Sequence, residues 1–258
     1  MIRRPPRSTL SSSSAASDVY KRQEQIYNSD AYIKELESKI IEVNEDNIVL
    51  DRTIFFPGGG GQPNDLGSIF VDKKEVKIEK VSWKDGKISH FLNVNNLKVG
   101  DSIETKIDWQ RRFKLMRTHT ALHILCGVIW RDYGAAVTGG NMEPLKGRMD
   151  FEFPSLSAEL TEEIEKKINY EVQEDRKITV DFLPREEAFQ IPDLIRTKIN
   201  LLPESLRIIR TINIHGLDLQ ADGGTHVSST SKVGYIKITG HESKGKINKR
   251  LRIAVLDN

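Results

Sequence analysis

Residues 108–130 read DWQRRFKLMRTHTALHILCGVIW, and this run decides how the rest of the chain divides. Leu115, His119, Leu122, His123, Cys126 and the pair Ile129-Trp130 recur at steps of three and four residues, the period at which side chains share one face of an α-helix. The spacing predicts a helix of about 20 residues opening near Asp108. Upstream, from Tyr32 to about Ile107, the period is different. Ile40-Ile41-Glu42-Val43 and Ile48-Val49-Leu50 are short apolar runs separated by the turn cluster Asn44-Glu45-Asp46-Asn47. Residues 76–81 (VKIEKV) read as one alternating, half-buried strand, and Lys84-Asp85-Gly86-Lys87 is a hairpin signal because Asp-Gly accepts the positive φ of a tight turn. Several short strands with turns between them predict a small barrel. Downstream, a second helix is expected at Thr161–Asp175, introduced by Ser157 and a group of early acids, and strands at Ile178–Leu183, Leu206–Ile212, Val233–Thr239 and Leu251–Leu256. The expected fold class is α+β: a small N-terminal β-barrel over residues 24–107, then a two-layer α/β domain over residues 108–258.

Composition narrows the function classes. The 258 residues are 38% hydrophobic and 29% charged, the balance of an ordinary globular chain. No apolar run approaches the roughly 20 residues that span a bilayer, so no membrane partner is expected. The single cysteine, Cys126, allows no internal disulfide and suits a reducing compartment, and a cytoplasmic location is expected. Residues 1–23 (MIRRPPRSTLSSSSAASDVYKRQ) lack the apolar core of a secretory signal and the helical pattern of a transit peptide. They resemble translated sequencing-adaptor read-through and are expected to be disordered. Arg3, Arg4, Arg7, Lys21 and Arg22 against Asp18 give this segment +4, so the rest of the chain carries −2 of the formal +2. Binding to a polyanion must then rest on local patches.

The chemistry-bearing residues fall in three places. Arg117-Thr118-His119-Thr120-Ala121-Leu122-His123 sets two imidazoles at i and i+4, one turn apart and close enough to share a metal ion. Two hydrogen-bonded histidines with no site is the competing reading. Thr120 follows His119 where a metalloprotease has its glutamate, so that pattern and its general base are absent. Residues 219–226 (LQADGGTH) join Asp222 to a third histidine, His226, across two glycines whose freedom lets both side chains converge; a plain Asp-Gly-Gly turn is the alternative. Zinc accepts both imidazole nitrogen and carboxylate oxygen. Gly58 to Gly61 lack the Lys-Ser/Thr of a phosphate-binding loop and the spacing of a dinucleotide fingerprint, so ATP and NAD are rejected.

On these residues the chain resembles the editing domain of alanyl-tRNA synthetases and the free-standing AlaX proteins, in their medium-length form. That family shares a His-x-x-x-His helix and a later Cys-x-x-x-His, often Cys-Gly-Gly-Thr-His; here Asp222-Gly223-Gly224-Thr225-His226 stands in that register. Residues 55–67 (FFPGGGGQPNDLG) resemble the glycine-rich segment of the family's barrel. The resemblance runs from about Ala31 to the C-terminus, with the three motifs in order.

It implies a zinc-dependent deacylase acting on mischarged alanine tRNA at its 3′ end, removing mainly serine, with glycine as a second candidate. Zinc would polarise the ester carbonyl, activate water or hold the substrate's amino group, and the residues do not choose among these. His119, His123, His226 and Asp222 are the implied metal ligands. Asp222 replaces the family's cysteine, and its harder oxygen should bind zinc less tightly than thiolate, either as a fourth ligand or as a group orienting a histidine. Cys126, one turn beyond His123, is a substitute ligand or simply core. Asp222 and Thr138 are the expected catalytic residues. Thr138 falls where the family reads the amino-acid side chain, although an ordinary turn threonine fits equally. Gly59, Gly60, Gly61 and Gln62 are expected to lie against the substrate. Arg111, Arg112 and Arg117 are expected to meet tRNA phosphates; Lys244, Lys246, Lys249, Arg250 and Arg252 form a second basic run that also reads as a solvated hairpin. The alternatives are a non-catalytic tRNA-binding zinc module, the related editing domain of threonyl-tRNA synthetases, and a fragment of an alanyl-tRNA synthetase.

Overall fold

In the structure, a computed structural model that describes residues 23–197 and 202–257, the architecture changes at Asp108. Before it run β1 (Glu24–Gln25), β2 (Glu35–Val43), β3 (Asn47–Leu50), β4 (Arg52–Thr53), β5 (Gly67–Val71), β6 (Lys74–Ile78), β7 (Lys80–Lys84), β8 (Lys87–Phe91) and β9 (Ser102–Ile107). β1 and β4 make a short parallel pair, and the other seven strands form one antiparallel sheet in the order β6-β5-β9-β2-β3-β8-β7. β2 serves both halves of that sheet. Glu35 to Lys39 pair with β9, Ile40 to Val43 pair with β3, and the register shifts between Ile40 and Glu42. An irregularity of this kind bends a strand, and here the sheet curls into a half-barrel around Ile48, Leu50, Phe55, Ile69, Val81 and Ile88.

The run at 76–81 is two strands rather than one, broken at Glu79, whose N–H donates to Phe91 O (2.8 Å). Its sequence trace is a slip of one residue in the apolar phase between Ile78 and Val81. The Asp85-Gly86 hairpin is as expected, with φ of +50° and +75°. The reading of residues 1–23 as adaptor-derived falls outside the described residues except at Gln23, whose carboxamide bonds both the N–H and the carbonyl of Ile88.

After Asp108 come α1 (Trp109–Tyr133), β10 (Val137–Glu143), β11 (Lys146–Glu152), α2 (Ala158–Gln173), β12 (Ile178–Pro184), α3 (Arg185–Ala188), β13 (Ile208–Ile214), β14 (Asp218–Ala221), β15 (Tyr235–Ser243) and β16 (Asn248–Leu256). Asp108 caps α1 by accepting from Arg111 N (3.0 Å), and Gly134 ends it with φ +63°. Every residue from Leu115 to Ile129 is buried, so α1 is the central helix of this half. It packs on the antiparallel sheet β10-β11-β16-β15, on β14 of the sheet β12-β13-β14, and on α2. α2 starts at Ala158, three residues earlier than expected, because Ser157 Oγ accepts from Leu160 N (3.1 Å). The β10–β11 hairpin has no counterpart in the sequence reading. Its glycines and charges show no apolar alternation, and β16 supplies its pairing.

Each half has its own apolar core, and Trp109 packs against both. Arg112 joins the halves more firmly. It is fully buried, ion-paired with Asp65, and donates to Ile54 O (2.6 Å) and Ala31 O (2.9 Å). Asp65 also accepts from Phe56 N (2.7 Å). Arg112 is therefore not a tRNA contact: a guanidinium with all these partners in the interior has no face for a phosphate. Among the described residues no helix is long and apolar enough to cross a membrane.

Candidate metal centre

His119 and His123 project from one face of α1, while Asp222 and His226 sit on the loop that leaves β14. One donor atom from each of the four lies within 4.8 Å of the others. The ring centroids are 5.1 Å apart for His119 and His123, 4.3 Å for His119 and His226, and 4.7 Å for His123 and His226. A tetrahedral ion with bonds of roughly 2.1 Å sets its donors about 3.4 Å apart, so the cluster is slightly wider than a loaded site.

Each ring has its Nδ1 held from behind by a different element. His119 Nδ1 bonds Gln62 Oε1 (3.0 Å), from the glycine loop of the half-barrel. His123 Nδ1 bonds Asp218 Oδ2 (3.0 Å), on β14. His226 Nδ1 lies 3.2 Å from Thr120 Oγ1, on α1 between the other two. Gln62 Oε1 and Asp218 Oδ2 can only accept, so they place the proton on Nδ1 of His119 and His123 and leave Nε2 for the common point, the arrangement in which a histidine binds metal. Asp222 completes the ring of donors, with Oδ2 at 3.1 Å from His226 Nε2 and Oδ1 at 3.6 Å from His119 Nε2.

The loop is shaped for this. Gly224 N donates to Asp222 Oδ2 (2.7 Å), and Arg210 Nη1 holds the Asp222 carbonyl (2.8 Å). A Cβ at Gly224 would overlap the His119 ring and crowd Gln62, so only glycine lets the loop pass. Gln62, 2% exposed, spends its carboxamide on His119, Thr225 N (3.0 Å) and Thr225 Oγ1 (2.9 Å). It positions the centre and does not face substrate, which corrects its expected role.

Burial disfavours the charged imidazole and takes His119 down to about 4, with Asp222 opposing and His123 adding to the shift. His226 falls well below its ordinary range for the same first reason. At His123 burial is outweighed by the Asp218 hydrogen bond and charge, which raise it. Burial alone would raise the Asp222 carboxyl, but the imidazoles of His119, His226 and His123 bring it well below the usual carboxylate range. Three imidazole nitrogens and one carboxylate oxygen form a donor set that suits a divalent transition metal.

His119, His123 and Asp222 form part of the wall of a cavity of about 690 Å³. Gly60 and Gly61 close one side; Thr138, Gly139, Gly140 and Asn141 of β10 close another. Gly58 to Gly61 all have positive φ (+86°, +145°, +58° and +88°), which is why four glycines stand together. Gly61 O accepts from Met142 N (3.2 Å), tying the loop to β10, whereas Gly59 is exposed and outside the described lining of the cavity. Thr138 is an exposed strand residue, not a turn threonine, and its hydroxyl donates to Asn248 Oδ1 (2.8 Å).

The expected arginine patch does not form here. Arg117 is buried and donates to Val233 O (2.7 Å), Leu256 O (2.9 Å) and Asp257 (2.7 Å), so it ties α1 to the C-terminal strand and corrects its tRNA role. Arg111 is half-buried, with Nη2 on Asn64 O (3.3 Å). The second basic run is the β15–β16 hairpin, where Lys244 and Arg252 pair with Glu242 and Arg250 pairs with Asp150. Cys126 is core: burial pushes its thiol far up, and Gln220 Nε2 donates to its sulfur (3.3 Å). Asp218, Thr120 and Arg210 escaped the sequence reading, because nothing local distinguishes an aspartate or arginine in a strand from a surface one.

Comparison with known proteins places this geometry in a family. The model described as tRNA synthetases class II (A) matches residues 8–111, and that of the threonyl and alanyl tRNA synthetase second additional domain matches residues 209–252, which hold Asp222 and His226. The chain is 36% identical over 235 residues to the alanyl-tRNA editing protein AlaX-M of Saccharolobus solfataricus, covering 90% of this chain and 98% of that one. Against AlaX-M of Methanosarcina mazei it is 34% identical over 243 residues, covering 91% and 97%. The alanine–tRNA ligase of Pyrococcus abyssi is 40% identical over 217 residues, but these are 83% of this chain and only 24% of the ligase. With a match that takes in nearly all of the editing proteins and about a quarter of the ligase, the chain belongs to the AlaX-M family of alanyl-tRNA editing proteins.

Proposed function

We propose that the chain is a zinc-dependent deacylase that hydrolyses mischarged Ser-tRNA(Ala), and secondarily Gly-tRNA(Ala), in trans. The observation that carries this reading is the cluster of three imidazoles, each tied at Nδ1 and turned by Nε2 toward the Asp222 carboxylate, on the wall of the cavity. Those four side chains would hold the zinc. Bound there, it supplies Lewis-acid chemistry, polarising an ester carbonyl and acidifying water. Hydrolysis joins the water oxygen to the carbonyl carbon, breaks the bond to the ribose oxygen, and returns a proton to that oxygen. Because the aminoacyl ester is already activated, discrimination is the harder task. The Thr138 hydroxyl gives its proton to Asn248 and keeps lone pairs for a serine hydroxyl, which alanine lacks. The cavity lies within the range of small-ligand sites, on the order of 300–1,000 Å³, with room for a terminal nucleoside and its aminoacyl group.

The test is deacylation of Ser-, Gly- and Ala-charged alanine tRNA, with and without chelator. Rapid loss of serine, retention of alanine, and loss of activity on chelation restored by zinc are expected. Full activity in chelated protein would overturn the zinc assignment. Binding of charged tRNA with no hydrolysis would favour the non-catalytic module.

A further inference from the structure

Arg196 is the one permanent cation among the described residues that line the cavity. It lies on the segment after α3 that crosses between the two sheets. Its carbonyl accepts from Val137 N of β10 (3.0 Å), and the carbonyl of Leu194, two residues before, accepts from Ala221 N at the end of β14 (3.2 Å). The side chain is 11% exposed, and its guanidinium lies over the Trp130 ring, 4.8 Å from the centroid. Nε and Nη1 are buried and have no hydrogen-bond partner. The nearest carboxylate oxygen, Asp218 Oδ1, is 3.7 Å from Nε, too far for a hydrogen bond, and is itself unpartnered. The other Asp218 oxygen is committed to His123 and to Gln220 Nε2 (2.7 Å).

A buried guanidinium with open donors is uncommon, since each unmade hydrogen bond costs the desolvation of the group. At 3.7 Å Arg196 and Asp218 form a loose ion pair, without the forked hydrogen bonds by which Arg112 holds Asp65. The Trp130 ring backs the guanidinium and the strapped backbone fixes the start of its stem, which keeps the cation in the cavity wall beside the metal centre.

We propose that Arg196 is a phosphodiester-binding residue that seats the last internucleotide phosphate of the tRNA 3′ end beside the metal centre. The inference rests on the editing reading above and deepens it. It also supplies the cation that the sequence placed at Arg112 and Arg117, which the fold uses elsewhere. The phosphate would meet the guanidinium from the cavity side, while Asp218 stays with His123.

The experiment measures binding of the dinucleotide cytidylyl-(3′,5′)-adenosine and of its uncharged methylphosphonate analogue to the zinc-loaded protein. Neither carries an ester, so the result stands apart from whether the chain deacylates Ser-tRNA(Ala), which is assayed separately. A charge-assisted bond to phosphate predicts that the parent prefers the diester by roughly 10- to 100-fold. Arg196→Gln should lose that preference, and Arg196→Lys, a point charge without the fork, should keep part of it. A folded, zinc-replete R196Q with the parental ratio overturns the proposal, as does a parent that shows no preference or no binding. Should R196Q fail to fold, the ratio for R196K decides: reduced supports the assignment, and unchanged refutes it. In the deacylation assay the same substitution is expected to raise KM for Ser-tRNA(Ala) more than it lowers kcat. A fall in kcat alone would mark Arg196 as acting only through Asp218 and His123.

Discussion

Asp222 occupies the position where the family's motif carries a sulfur ligand, and its surroundings are those of a carboxylate in use. Gly224 N and His226 Nε2 both reach Oδ2, and Arg210 steadies the backbone beneath. Replacing it with cysteine keeps an anionic donor on the same loop and softens it, so Asp222→Cys is expected to retain or tighten zinc. Asp222→Ala removes the charge and should weaken zinc binding or deacylation by roughly 10- to 100-fold. Zinc titration against a competing chelator measures both, and an alanine variant with parental metal content and rate would remove Asp222 from the centre. Gln62 makes the complementary point. A residue in a glycine-rich loop reads as substrate-facing, yet its carboxamide belongs to His119 and Thr225.

At the level of the element, α1 is two devices in sequence. Its first turns fasten the two halves together through Arg112, and its middle carries the histidines among wholly buried neighbours. Removing one partner of a buried, fully bonded ion pair strands the other, so Arg112→Ala is expected to cost about 3–5 kcal/mol of stability. Urea unfolding of the zinc-loaded protein reads this directly. The folded fraction of that variant should show the parent's salt dependence of tRNA affinity, because the lost arginine neutralises no phosphate. Parental stability together with a flatter salt slope would return Arg112 to the tRNA interface.

On the scale of the whole molecule, the half-barrel carries an acid-sensitive point of its own. His90 is fully buried against Thr53 Oγ1 (2.8 Å), and burial lowers its pKa from 6.5 to about 4. Between those values the unfolded chain binds a proton that the folded one does not. The contribution of His90 is therefore complete above about pH 6.5 and is lost as pH falls through about 4, on the order of 3 kcal/mol in all. Urea midpoints at about pH 7.5 and about pH 4.5 should fall further in the parent than in His90→Gln. Equal declines would mean that another group sets the acid limit.

Spacing along one helix is a local quantity, so the shared face of His119 and His123 was legible in the sequence, as were the opening of α1 near Asp108 and the Asp85-Gly86 turn. Aspartate and histidine four residues apart across two glycines were legible for the same reason. The meeting of the two motifs was an expectation carried by resemblance, because the pairing that brings β14 to α1 joins residues about a hundred positions apart. Only the tertiary structure assigned Gln62, Asp218 and Thr120 to the three Nδ1 atoms, buried Arg112 and Arg117 in structural pairs, and set Arg196 in the cavity wall. An arginine has one appearance in a sequence, and its role is decided by which carbonyls and carboxylates the fold brings within about 3 Å of its guanidinium.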